Sequence, residues 1–374
     1  MASGEQAGET VLILGGGLMG LSVAHALAGR GERVQVLSRR RDEAAGHVAA
    51  GMLAPHAEGL AGALLRLGQA GLERIPSWVA ALEADSGLEC GLLPSGIVVP
   101  FRSAAERDGY PTAAWGRPLD RAGLEREVAG IGPDWRAGLL FPQDGQIDSR
   151  RRLMRALEEA CRRRGVLIEE GWEALTLRRR GGRLEGVRLR GADGTEREWP
   201  VRRAVLCCGA WSAALLPELA VFPVKGQMLS LQAPSGALLR VLFGPGTYLV
   251  PRQDGLVVVG ATSEAEERFA PGLTPAGQRH LERGVAALLP EATRWPPMER
   301  WWGFRPGTPD GGPLLGPGPL EGLWLCTGHH RNGVLLAAVS AEAVVAGLSG
   351  DPLKPGLDAF RWCRFRSWEP GGPP

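Results

Sequence analysis

The stretch Val11–Ser38, VLILGGGLMGLSVAHALAGRGERVQVLS, decides the fold. Its first four residues form a short apolar run that reads as a buried parallel strand. The run enters Gly15-Gly16-Gly17-Leu18-Met19-Gly20, which fits G-x-G-x-x-G. A helix follows, with Ala24 and Leu27 on one face and Gly31 as its stop, and Val34–Leu37 reads as the second strand. In such a unit each glycine has its own task. Gly15 allows the tight turn, Gly17 admits a pyrophosphate to the backbone, and Gly20 lets helix pack on strand. The unpaired N–H groups at the helix start, Leu18 and Met19 among them, face the phosphates with the positive end of the helix dipole. Strand, turn, helix and strand in this order predict a dinucleotide-binding α/β unit.

With 374 residues the chain is long enough for a large core and two domains. A hydrophobic share of 44% and a charged share of 22% are those of an ordinary soluble globular protein. A net charge of +2 provides no electrostatic footprint for nucleic acid. The six cysteines form no C-x-x-C pair and no zinc spacing, so no metal is expected and a reducing cytoplasm suits them. The N-terminal MASGEQAGE is polar, unlike a signal peptide. The apolar stretch Gly333–Leu348 is broken by Ser340 and Glu342, which argues against a membrane span.

Further along, helical periodicity runs from Leu60 to Leu82, and Ile97–Phe101 reads as a strand. Asp148 suits the N-cap of a helix over Ser149–Arg164, and Val166–Glu169 returns as a strand. A meander with turns at Gly181-Gly182 and Asp193-Gly194 follows, then the apolar strand Ala204–Cys208. Strand succeeds strand from Pro223 to Gly260. A helix spans Thr274–Leu289, and Leu323–Thr327 is a last buried strand before a long helix. The expected architecture is a Rossmann-like domain of glutathione-reductase-type topology with an inserted α+β substrate domain on a mixed or antiparallel sheet. Residues 1–75, 140–220 and 303–374 are assigned to the nucleotide domain, and 76–139 and 221–302 to the substrate domain.

A series of motifs covers nearly the whole chain: GGGLMG at 15–20, AAGMLAP at 49–55, DGQIDSRRRL at 144–153, CCGAWS at 207–212, PVKGQM at 223–228, TYLVPR at 247–252, GATSE at 260–264, GFRPGTPDGGPLLG at 303–316 and GHHRNGVLL at 328–336. In this order they resemble the D-amino-acid-oxidase-like flavoproteins, and within them the glycine oxidases of thiamine biosynthesis. The resemblance implies noncovalent FAD, with no flavin-attaching cysteine near Gly303. It implies hydride transfer from the α-carbon of a small amino acid or secondary amine to flavin N5. The imine then gives a keto acid and ammonia, and O2 is reduced to hydrogen peroxide. A homo-oligomer is usual in the family.

By motif match Arg305 takes the substrate carboxylate, for which a planar guanidinium fork is suited. Tyr248 helps hold the carboxylate or shapes the pocket, and Arg331 stands by the flavin. The resemblance places Ala49, Ala50, Gly51, Met52, Leu53, Ala174, Gly209, Trp211, His330, Asn332, Gly333 and Val334 at the cofactor. Neither His329 nor His330 need act as a base, because hydride leaves an amine that is already deprotonated.

Three positions depart from the family. The second strand ends in Ser38-Arg39 where Glu usually accepts the ribose hydroxyls. Loss of a charged acceptor is worth about 1.5–3 kcal/mol, roughly tenfold or more in FAD affinity. Ser followed by Arg also resembles an NADP 2′-phosphate site, so an NADP-dependent reductase is one alternative. An FAD dehydrogenase with another acceptor is a second, and a non-catalytic FAD-binding protein a third. Gly246 and Ser263 replace larger or more apolar residues, which predicts a wider or more polar substrate pocket.

Overall fold

The computed structural model describes residues 10–147, 149–352 and 356–367. Strand β1 (Val11–Leu14), helix α1 (Leu18–Ala28) and strand β2 (Val34–Ser38) form the expected unit. All four β1 side chains are at most 1% exposed, a burial worth roughly 1.5–3 kcal/mol for each large aliphatic residue. β1 is central in a six-stranded sheet. The order is Leu314–Pro317, Leu323–Thr327, Ala204–Leu206, β1, β2, Leu167–Glu170, and only the first of these runs antiparallel to its neighbour. The first β-α-β unit therefore recruits strands from distant parts of the chain. One face is covered by α1 and the apolar helix Gly333–Leu348. The antiparallel meander 172–200 packs on the other.

A second sheet has eight strands, ordered Pro297–Gly307, Phe222–Gln232, Leu256–Gly260, Thr247–Pro251, Val241–Gly244, Ile97–Phe101, Ala137–Phe141 and Arg117–Asp120. Its pairs are antiparallel except that between Val241–Gly244 and Ile97–Phe101. This is the mixed sheet expected beside the nucleotide fold. The expected boundaries at 75/76, 140 and 303 fall inside a helix (Gly62–Ser86) and two strands (Ala137–Phe141 and Pro297–Gly307).

One helix carries a side-chain cap, and another starts later than its periodicity predicts. The Thr274 hydroxyl accepts from Gly277 N–H at the head of helix Pro275–Leu288. The N-cap expected at Asp148 lies outside the described residues. Ser149–Leu153 is a π-type turn rather than α-helix, and the regular helix begins at Met154.

Candidate functional site

The glycine turn is built as its residues demand. Gly15 has φ +109°, and a Cβ there would stand 2.4 Å from the Cys207 carbonyl oxygen. A Cβ on Gly20 would lie 1.8 Å from the Gly15 oxygen, so α1 rests directly on the turn. Gly17 is the N-cap of α1, with no side-chain cap and no acidic residue in the first turn. Asn332 begins the helix Gly333–Leu348 in the same uncapped way.

Both helix starts open into one elongated cavity, with about 1980 Å³ free of protein atoms counting its open mouth. The first β-α-β unit contributes Gly15, Gly17, Leu18, Met19, Ser38 and Arg39. The intervening loops contribute Ala49, Ala50, Gly51, Met52, Ala174, Gly209 and Trp211, and Tyr248, Arg305, His330, Arg331, Gly333 and Val334 complete the walls. Three residues expected at the cofactor do not line it. Gly20 is spent on helix–strand contact, Leu53 is 2% exposed in the core, and Asn332 is buried at its helix start. The loop 49–53 is tied to the eight-stranded sheet, since Arg252 Nη2 donates to Ala50 O at 2.6 Å and Trp301 Nε1 to Val48 O at 3.0 Å.

An extended, partly apolar cleft with two uncapped helix starts fits a dinucleotide such as FAD: backbone N–H groups for phosphates, apolar walls for rings. The ribose end differs from expectation. Arg39 is not a free cation awaiting a 2′-phosphate. Its guanidinium donates to Glu43 at 2.7 Å, lies 3.5 Å from Glu173, and sits 5.3 Å from the Trp211 ring centre. Arg40 pairs with Asp42 and Glu43. This neutralised edge disfavours the NADP alternative.

Arg305 lies opposite Val224 in the sheet, with its guanidinium laid over Gly226. A Cβ on Gly226 would collide with that guanidinium, which is why glycine stands in PVKGQM. Arg305 Nη1 donates to Thr262 O at 3.0 Å, and among the described residues no carboxylate forms an ion pair with it. Burial presses its pKa down and Arg331 adds to this, while Tyr248 and Glu58 act in the opposite direction. Tyr248 is 9% exposed, its hydroxyl is held above the usual phenol range by burial, and its ring stacks on Phe243.

Arg331 lines the cavity and also meets a carboxylate. It is half-exposed, with Nε 3.5 Å from Glu58 Oε2. Sequence reasoning missed Glu58, which lines the cavity and whose carboxyl burial pushes upward. Its turn is clamped from the far side: Asp144 Oδ1 meets His56 Nδ1 at 2.6 Å, and Oδ2 accepts from the backbone N–H groups of His56 and Ala57. An acidic residue just after the buried Ala54–Ala57 is the signal that could have exposed it.

The expectation of a wider pocket needs correction at one position. Gly246 does not line the cavity. The His280 ring stands 3.3 Å from where its Cβ would be, and His280 Nε2 is 3.0 Å from Gly246 O. Ser263 does line the cavity, so any added width or polarity arises there.

His330 has φ +45°, a left-handed conformation uncommon outside glycine, and its N–H donates to Pro306 O at 2.9 Å. Burial, with Arg305 and Arg331 nearby, lowers its pKa to about 4. The unfolded chain takes up this proton near pH 6.5 and the native protein only near 4, so the stability contribution is full above 6.5 and shrinks as pH falls towards 4. For His330 alone the loss between pH 7 and pH 5 is about 2 kcal/mol. His330→Asn, which tolerates the backbone, is expected to flatten that slope. Urea titrations of both proteins at the two pH values measure it, and parallel slopes would contradict the assignment.

The fold and this cavity define a dinucleotide-binding protein whose cleft is lined by the Arg305 guanidinium. The family model for FAD dependent oxidoreductases (DAO) matches residues 10–346. The chain belongs to that family. It is 42% identical over 368 residues to the bifunctional protein ThiO/ThiG of Synechocystis sp., covering 96% of this chain and 54% of that protein. The chain thus spans about half the length of this relative. It is 30% identical to a glycine oxidase of Pseudomonas aeruginosa, with 91% and 95% of the two chains covered. The crystal structure of glycine oxidase from Geobacillus kaustophilus superposes with a TM-score of 0.87 at 26% identity, covering 96% of this chain and 99% of that one. Among the described residues no helix is long and apolar enough to cross a membrane.

Proposed function

We propose that the protein oxidises glycine or another small amino acid or secondary amine at its Cα–N bond, with O2 as the electron acceptor. Bound FAD supplies the two-electron acceptor that no side chain can provide. The products are an imine, hydrolysed to keto acid and ammonia, and hydrogen peroxide. From the resemblance to glycine oxidases of thiamine biosynthesis, the imine is placed upstream of the thiamine thiazole.

The observation that carries this reading is Arg305: a guanidinium lining the cavity, without a carboxylate of its own, beside Tyr248. A substrate carboxylate satisfies it, and the fork holds that group in one orientation. The Tyr248 hydroxyl, which donates to Met228 Sδ at 3.6 Å, can turn to donate to the same group. Glu58 balances Arg331. His330 stays neutral at physiological pH and adds no third positive charge.

The test is anaerobic titration of the yellow protein with glycine, sarcosine, D-alanine and D-proline, followed by air. Bleaching by at least one amine, then recovery of colour with stoichiometric peroxide, is the expected result. Bleaching without recovery in air assigns a dehydrogenase. No bleaching by any amine removes the proposal. Activity confined to glycine would show that Ser263 does not widen the pocket.

A further inference from the structure

Three of the six cysteines line the cavity, and two of them are neighbours on adjacent strands. Leu206 pairs with Leu325 in parallel register, so the next residues, Cys207 and Cys326, stand side by side at the C-terminal edge of the sheet. Both belong to one buried cluster, and each thiol perturbs the ionisation of the other. Parallel strands lie about 4.8 Å apart, inside the roughly 4.4–6.8 Å Cα window that a disulfide tolerates. His329 completes the group. It lines the same cavity at 2% exposure, its Nε2 is bound to Ser340 Oγ at 3.0 Å, and its Nδ1 is buried with no hydrogen-bond partner. Neither thiol has a part in holding the substrate carboxylate.

We propose that Cys207 and Cys326 are a peroxide-oxidisable dithiol in the cavity wall, which closes to an intramolecular disulfide. The source of peroxide rests on the oxidase reading above; the chemistry of the pair does not. The Cys326 sulfur attacks one peroxide oxygen, the O–O bond breaks, and the departing hydroxide takes a proton to become water. The Cys207 sulfur then attacks Cys326, the S–O bond breaks, and a second water leaves. Two thiols lose two electrons and two protons, and one peroxide becomes two waters. Cys326 is assigned as the attacking partner because the His329 imidazole is beside it, whereas only other cysteine thiols neighbour Cys207.

The remaining cysteines are internal controls. Cys90 and Cys161 are buried away from the cavity and Cys208 lines it, all three with thiol pKa values pushed up to about 12. Cys363 is partly exposed. The FAD-loaded protein is treated with added hydrogen peroxide and mapped by mass spectrometry without reductant. The expected product is a Cys207–Cys326 linked peptide, two hydrogens lighter than the sum of its parts and reversed by dithiothreitol. It should form at least about tenfold faster than any change at Cys90 or Cys161. In Cys207→Ser the reaction stops one step earlier, and dimedone should label Cys326. Consumption of Cys363 with no linked peptide overturns the proposal, as does a Cys207→Ser protein whose Cys326 is never labelled. Because the peroxide is added, this outcome is independent of whether an amine bleaches the flavin.

Discussion

Arg305→Ala is expected to lower kcat/KM for the preferred amine by roughly 10²–10³-fold, mostly through KM. The two hydrogen bonds of a guanidinium–carboxylate fork are charge-assisted at about 1.5–3 kcal/mol each, and about 3–4 kcal/mol corresponds to that loss. The protein should remain yellow and as stable as the parent. Removing this arginine leaves no carboxylate ion partner stranded among the described residues, and it relieves the burial that presses on its pKa. Arg305→Lys should recover only part of the loss, since an ammonium is a point charge and cannot present the fork. Gly226 was kept small for a planar guanidinium, and a lysine leaves that space partly unfilled. Steady-state rates with the flavin absorbance recorded alongside give the answer. Undiminished turnover of Arg305→Ala would remove the basis for assigning the substrate class.

Gly20→Ala is the second large effect, and it acts on the fold. The new methyl carbon would sit 1.8 Å from the Gly15 oxygen, and backbone on both sides cannot yield as a flexible side chain could. Helix α1 must lift from the turn, which uncouples the positive helix end from the cavity and opens the core against β1. A cost above about 3 kcal/mol is expected, with the flavin lost on purification. Gly17→Ala is the informative comparison. Its Cβ would meet only the Ala44 methyl, at 3.3 Å. That variant should fold normally and lose affinity for the cofactor alone. The flavin-to-protein absorbance ratio and urea unfolding separate the two effects. A Gly20→Ala protein that purifies yellow with parental stability would contradict the close contact.

Much of the architecture is legible in local pattern. Val11–Leu14, the glycine turn and Val34–Ser38 announce a parallel unit because strand burial, turn chemistry and helix packing each leave a mark within a few residues. The helix Gly333–Leu348 and the strands Ile97–Phe101 and Leu323–Thr327 are readable for the same reason. Arg305 and Tyr248 were found through motif resemblance, and the structure brings both to one cavity.

Other parts of the site were hidden because they depend on which distant charges meet. Ser38-Arg39 looked like a phosphate site until Glu43 and Glu173 were seen to occupy the guanidinium. Gly246 looked like open space until His280, 34 residues away in sequence, was found beside it. Glu58 emerged as a cavity residue only when Asp144 was seen clamping its turn from 86 residues further along the chain.

By itself, the order of residues determined the nucleotide-binding unit and the family. Those are encoded in spacing and in backbone conformations that only glycine enters freely. Tertiary structure alone decided which charges are neutralised, which gaps are filled and which two thiols are neighbours. Such facts arise from the register between strands far apart in the chain, where burial raises the energetic cost of every unpaired polar group.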